Sequence, residues 1–342
     1  ENHSYDKAIL DLGAVPAIPS LPGLDGRKEF FLTTGFKPAK AFEEAISKYS
    51  TAAILGVGQI ALEVAAILKE KGYHAIYLVG RSEHVMRAYV DSDMVGIIED
   101  KVREKNIELI LSARVIDIRT EGEKKHLYLS DKKLEVDFVF FAAGAKPNTE
   151  LARRSGIEVG KTGAIAVNEY LQTSNPDIYA IGDCMENRDM VTGNKIVYHT
   201  ATNAARTGRI AGRNLVLGKA VRYQGTVVPF ITEIFGYEVG TVGLTEAYAR
   251  EQGFALLGAK SMGLTCLAGV AACAGGRADS GFAQRPIIRR TLIGAMLVLP
   301  LPLVILLRDL YTSPEGAPSP AEQLEQTIWD SDMRIVTDVS LN

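Results

Sequence analysis

Apolar positions along the chain change period several times, and each change marks an element. Residues 8–13 form a short apolar strand that runs into a loop rich in Pro and Gly as far as Gly26. Residues 39–49 place Ala41, Phe42, Ala45 and Ile46 on one helical face. A continuous apolar run at 52–55, a turn at 56–58, a helix at 60–71 and a second strand at 75–79 then follow in the order of a βαβ unit. A helix at 90–105, a strand at 108–118 and strands at 125–130 and 134–142 complete the alternation, which argues for an open α/β sheet. Further on, the pattern predicts a short strand at 164–168, a helix at 202–217 and a pair of strands within 226–242.

Composition and charge narrow the class. With 342 residues, 47% of them hydrophobic, the chain has the apolar content for at least one sizeable core and an expected two or three domains. A net charge of -3 gives no bulk attraction to nucleic acid, and no basic run is interleaved with aromatics. Cys184, Cys266 and Cys273 form neither a disulfide framework nor a Cys/His metal cluster, so no metal site is expected and a reducing, cytoplasmic setting is the default.

The turn reads Ile54-Leu55-Gly56-Val57-Gly58-Gln59-Ile60-Ala61-Leu62-Glu63. Gly56 can make the tight turn, Gly58 lets backbone approach a pyrophosphate, and the small Ala61 lets the helix sit close to the strand. The helix N-terminus adds free N–H groups for the phosphates. At the end of the second strand, where a carboxylate would accept bonds from a ribose 2′-hydroxyl, the chain has Gly80-Arg81-Ser82. An arginine there suits a 2′-phosphate and favours NADPH; the alternative is an ordinary surface arginine.

Two more runs raise the specificity: Phe141-Ala142-Ala143-Gly144-Ala145-Lys146-Pro147-Asn148-Thr149 and Thr173-Ser174-Asn175-Pro176-Asp177-Ile178-Tyr179-Ala180-Ile181-Gly182-Asp183-Cys184. With the turn at Gly56, they resemble the pyridine nucleotide-disulfide oxidoreductases, above all the branch of NADH oxidases, NADH peroxidases and coenzyme A-disulfide reductases, over residues 5–254. The resemblance implies FAD and NAD(P)H as cofactors, a disulfide, oxygen or peroxide as electron acceptor, and a homodimer. It implies an NAD(P)-binding Rossmann-like domain at 39–147, inserted in a partial FAD-binding domain at 1–38 and 148–220. Part of an α+β dimerisation domain at 221–258 would follow. NAD(P) contacts would come from Gly56, Gly58, Ala61, Gly80, Arg81 and Gly144, and FAD contacts from Gly13, Gly182, Asp183, Ala201 and Thr202. Glu63 corresponds to the family glutamate near nicotinamide and flavin and is the catalytic candidate; it could also be a first-turn helix acid, as Asp183 could be a turn cap.

Departures from the pattern matter as well. The family's first FAD-binding βαβ unit, with its redox cysteine, belongs ahead of Tyr5 and outside this sequence, and Cys184 reads as a core residue. The usual Ala-Thr-Gly crossover is Asp11-Leu12-Gly13 here, which puts a carboxylate near the flavin phosphates. A non-catalytic NAD(P)-binding module is therefore the second reading. Residues 280–340, within the segment 259–342, resemble the membrane-proximal part of an actinobacterial Rieske subunit of a cytochrome bc complex. That likeness raises a third reading, a membrane-associated respiratory component. No histidine follows His199, so no cluster is expected. The apolar run at 292–307 spans ~24 Å against a ~30 Å hydrocarbon core, which favours an interfacial or buried helix over a spanning one.

Overall fold

The computed structural model describes residues 5–32, 36–254, 256–262 and 266–273. The Rieske-like likeness at 280–340 and the apolar run at 292–307 lie outside the described residues. In chain order the first elements are β1 (Ala8–Leu10), β2 (Ala14–Pro16), β3 (Glu29–Phe31), α1 (Phe36–Lys48), β4 (Thr51–Leu55), α2 (Gln59–Glu70), β5 (Ala75–Val79), α3 (Ser92–Glu104) and β6 (Glu108–Ile110). Then come β7 (Asp117–Glu121), β8 (Lys124–Tyr128), β9 (Lys133–Val136), β10 (Phe138–Phe141), β11 (Ala145–Pro147), α4 (Glu150–Arg154) and β12 (Ile178–Ala180). The last are β13 (Asn187–Arg188), β14 (Lys195–Ile196), α5 (Ala201–Leu217), β15 (Phe230–Ile234), β16 (Tyr237–Thr241), α6 (Glu246–Glu251), β17 (Leu256–Met262) and β18 (Cys266–Cys273).

Five strands form an all-parallel sheet in the order β3-β10-β4-β5-β6. Its central strand, β4, is buried at every position, because both faces of the sheet are covered. Ala52, Ile54, Phe138 and Phe140 face one core, with Leu62, Leu68, Val95 and Ile98 of α2 and α3. Ala53, Leu55, Val139 and Phe141 face the other, with Ile118, Leu127 and Val136 of β7, β8 and β9. That antiparallel meander is a sheet of its own, order β7-β8-β9, and not an extension of the parallel one.

Two of the predicted strands are divided. The strand expected at 108–118 stops at Ile110 and resumes at Asp117, with Ser112 between them at a φ of 50°. The strand expected at 134–142 is two strands in two sheets, separated by the buried Asp137. Asp137 Oδ2 accepts from the Ser50 and Thr51 amides and the Thr51 hydroxyl, and Oδ1 pairs with Lys124 at 2.6 Å. These bonds fix the corner at which the chain leaves the meander and enters the sheet.

A second unit is built on the parallel pair β1 and β12, with a core of Ile157, Leu171, Tyr179, Ile181, Cys184, Ala211 and Tyr223. The chain leaves this unit through β2 and returns through β11, and those two strands pair antiparallel. The strand expected at 164–168 is reduced to isolated bridges from Ile165 to Val159 and Met185. Beyond it, β15-β16-β18-β17 form a four-stranded sheet in which β16 and β18 run parallel. The boundary expected at Gly258 falls inside β17, so the sheet continues past it. Small residues dominate Cys266–Cys273, which hides a strand from a reading based on alternation.

Candidate functional site

The expected nucleotide residues gather at the C-terminal edge of the parallel sheet, the edge at which open α/β sheets bind ligands. Gly56 follows β4 with a φ of 140°, and its amide donates to Val79 O at 2.9 Å. A Cβ on Gly56 would lie 2.4 Å from Ala142 O, so the glycine is needed for the close approach of the chain leaving β10. Gly58 N-caps α2, whose first turn has no side-chain cap, and the space above its Cα is open. Free amides and the positive helix end therefore face open space, which is what a pyrophosphate needs. Ala61 is fully buried against the sheet. Gly144, at a φ of 93°, is also open.

Gly80 also has a packing task. A Cβ there would meet Val57 Cγ2 at 2.5 Å, so its absence makes room for the turn's own valine. Arg81 next to it is exposed. The loop that follows is tied down: Met86, at a φ of 51°, donates its amide to Val57 O at 2.8 Å.

Glu63 sits one turn into α2. Its Oε1 accepts from Gln59 Nε2 at 2.8 Å and from Thr232 Oγ1 at 2.6 Å, which links α2 to β15. It lines an open cavity of about 600 Å³ with Ile67, Lys105, Glu233 and Phe235.

The expected flavin residues also converge. Gly13 and Gly182 follow the neighbouring strands β1 and β12, with φ of 65° and 66°. Asn148 holds the first loop through Gly13 O at 3.0 Å and Leu12 O at 3.2 Å. Thr207 Oγ1 accepts from the Gly182 amide at 3.1 Å, seating α5 on the Gly182–Asp183 turn. The N-terminus of α5, with Ala201 and Thr202 exposed, is capped by Thr200. Cys184 is fully buried, and burial pushes its thiol up, as suits a core residue. The open space at Gly13 and the half-exposed Asp183 fit an FAD, whereas at the buried Gly182 Asp11 Oδ1 lies 2.9 Å from where a Cβ would stand.

Comparison with known proteins places this geometry. A family model described as pyridine nucleotide-disulphide oxidoreductase matches residues 1–208, and the chain belongs to that family. A CoA-dependent NAD(P)H sulfur oxidoreductase of Pyrococcus furiosus is 33% identical over 257 residues, 74% of this chain and 57% of that protein. An NADH oxidase of Methanocaldococcus jannaschii is 35% identical over 245 residues, 71% of this chain and 54% of that protein. The chain thus spans a little over half the length of these curated relatives. Among solved structures, an engineered water-forming NADPH oxidase bound to NADPH matches with a TM-score of 0.71 and 28% identity, over 77% of this chain and 58% of that one. Its engineering replaced consecutive aspartate, alanine and methionine by alanine, arginine and serine, and put a further arginine five positions beyond the serine. The likeness of residues 280–340 to a Rieske subunit finds no support in these comparisons. Among the described residues, no helix is long and apolar enough to cross a membrane.

Proposed function

We propose that this chain forms the pyridine-nucleotide site and one half of the flavin site of an FAD-dependent NAD(P)H oxidoreductase. The observation that carries the reading is the juxtaposition of the Gly56–Gly58 turn, Gly144 and Arg81 at one sheet edge, beside a second unit that presents Gly13 and Gly182–Asp183. Gly58 and the α2 amides would hold the pyrophosphate, and Asp183 would accept bonds from flavin-side hydroxyls. The positive end of α5, at Ala201 and Thr202, would favour negative charge on a flavin ring. Bound FAD supplies the hydride acceptor and the onward electron donor.

Sulfur reduction and oxygen reduction, in the names of the relatives, support a persulfide or disulfide or else oxygen as the acceptor, with peroxide the third expected choice. NADPH is the donor in this reading, because Gly80-Arg81-Ser82 and Arg87 repeat the spacing of residues introduced in the engineered NADPH oxidase. A homodimer through the β15–β18 sheet completes the proposal.

Titrating the chain with NADPH while following nicotinamide fluorescence, then adding FAD and recording flavin absorbance, tests it. Saturable NADPH binding together with retained, NADPH-reducible flavin is expected. Nucleotide binding without flavin retention would replace the enzyme by a binding module, and no nucleotide binding would remove the reading altogether.

A further inference from the structure

Helix α5 holds three arginines and no carboxylate in its 17 residues. Asn203, Thr207, Ala211 and Asn214 are its buried positions, and their spacing puts them on one face. The opposite stripe carries Arg206, Arg209, Arg213, Val216 and Leu217, all exposed. Val216 and Leu217 are 76% and 69% exposed, more than any other large hydrophobic side chain among the described residues. A single exposed apolar side chain is ordinary on a folded surface, but two in succession at the end of an arginine stripe form a patch with both charge and apolar area to offer.

More positive charge collects at the same end of the helix. Lys7 Nζ donates to Leu215 O at 3.2 Å, which brings a further cation to the last turn. Lys219 and Arg222 follow the helix, each over the Tyr170 ring at 5.7 Å from its centroid. Glu169 pairs with Arg222 at 3.4 Å, and Asp6 and Asp177 stand beside the starts of β1 and β12; the cations outnumber these acids. Arg206 donates once, to Gly225 O at 3.0 Å, and lies over the Tyr223 ring, so its fork has donors left. Arg209 makes no hydrogen bond or ion pair among the described residues. The chain as a whole has a net charge of -3, so this stripe reverses the sign of the molecule locally.

We propose that the exposed stripe of α5 docks on an anionic lipid surface, with Arg206 and Arg209 holding headgroup phosphates and Val216 and Leu217 sinking into the interface beside them. Charge and shape select this occupant. A second copy of the chain, related by a two-fold axis, would set the same arginines against each other. An acidic protein would satisfy the arginines but would have to supply a groove for two apolar side chains on a convex helix. Lipid headgroups part around such side chains, and guanidinium forks match their phosphates in pairs of hydrogen bonds. The helix axis would lie along the surface, and docking needs neither nucleotide nor flavin.

The test sediments the full chain with vesicles of phosphatidylcholine alone and of phosphatidylcholine mixed with phosphatidylglycerol. Affinity for the mixed vesicles is expected to be at least about tenfold higher and to fall as salt is raised. The double variant Val216→Ser with Leu217→Ser should lose most of the binding. Arg206→Gln with Arg209→Gln should lower it at least about fivefold and weaken its salt dependence. All four positions are exposed, and an unchanged melting temperature in both variants would show that the fold is kept. Absence of vesicle binding, or equal binding to the two vesicle types, overturns the proposal. Unchanged binding in both variants overturns it too, because the chain is then held by another part, such as the apolar run at 292–307. Retention on immobilised polyglutamate without vesicle binding would assign the stripe to an acidic protein and overturn the lipid surface.

Discussion

Thr51 and Asp137 exchange hydrogen bonds across the start of the central strand: the Thr51 hydroxyl donates to Asp137 Oδ2, and the Asp137 amide donates to Thr51 Oγ1, both at 2.9 Å. With the Thr51 amide and Lys124 also on the carboxylate, this pair fixes where the meander ends and β10 begins. Burial opposes the charge on Asp137, but Lys124 and the donors of Ser50 and Thr51 outweigh it and bring the pKa down to about 2.

Stability should follow that titration. The folded pKa lies below the unfolded value, so the contribution, about 2 kcal/mol, is complete above pH ~4 and is lost as pH falls through about 2. Asp137→Asn should cost a similar amount at neutral pH and flatten the dependence of urea unfolding on pH between 4 and 2. An unchanged acid limb in the variant would show that the carboxylate does not set it.

Gly56 and Gly58 should separate folding from binding. Gly56→Ala drives a Cβ against Ala142 O at a φ of 140° and should cost about 2–4 kcal/mol, read by thermal unfolding. Gly58→Ala meets open space and an ordinary φ of -86°, so stability should change by less than about 1 kcal/mol. Its methyl group would nonetheless occupy the approach to the α2 amides, and NADPH affinity should fall at least about tenfold.

Asn214 is fully buried and fastens the end of α5 through three side-chain bonds, to Tyr170 O, Val221 O and the Val221 amide. Asn214→Ala should cost about 2–4 kcal/mol by denaturant unfolding. Asn214→Asp should be no milder, because a carboxylate cannot donate to the two carbonyls.

Cys184 has no exposed surface, and its sulfur is held among Leu10 O, Ile181 O and the Leu12 amide. Mass spectrometry after treatment with a thiol reagent at pH 8 should find Cys184 unlabelled in the folded chain and labelled in urea. Labelling at native rates would mean that the β1–β12 unit opens readily.

How far the sequence reaches depends on how local each cause is. The run from Ile54 to Glu63 by itself predicted the strand, glycine turn and helix that the structure shows, because a tight turn, a close backbone approach and a helix start each depend on residues a few positions apart. Gly13 and Gly182, expected on the flavin side, came from local runs in the same way, and the β1–β12 pairing brings them together. By contrast, hydrophobic content at 125–130 and 134–142 predicted strands but not their sheet, since alternation records that a face is buried and not what buries it. Only the tertiary structure set the meander over the parallel sheet and split the second run at Asp137, through bonds to residues more than eighty positions away. It also turned Glu63 toward Thr232, a partner 169 positions distant, and used Gly80 to admit Val57.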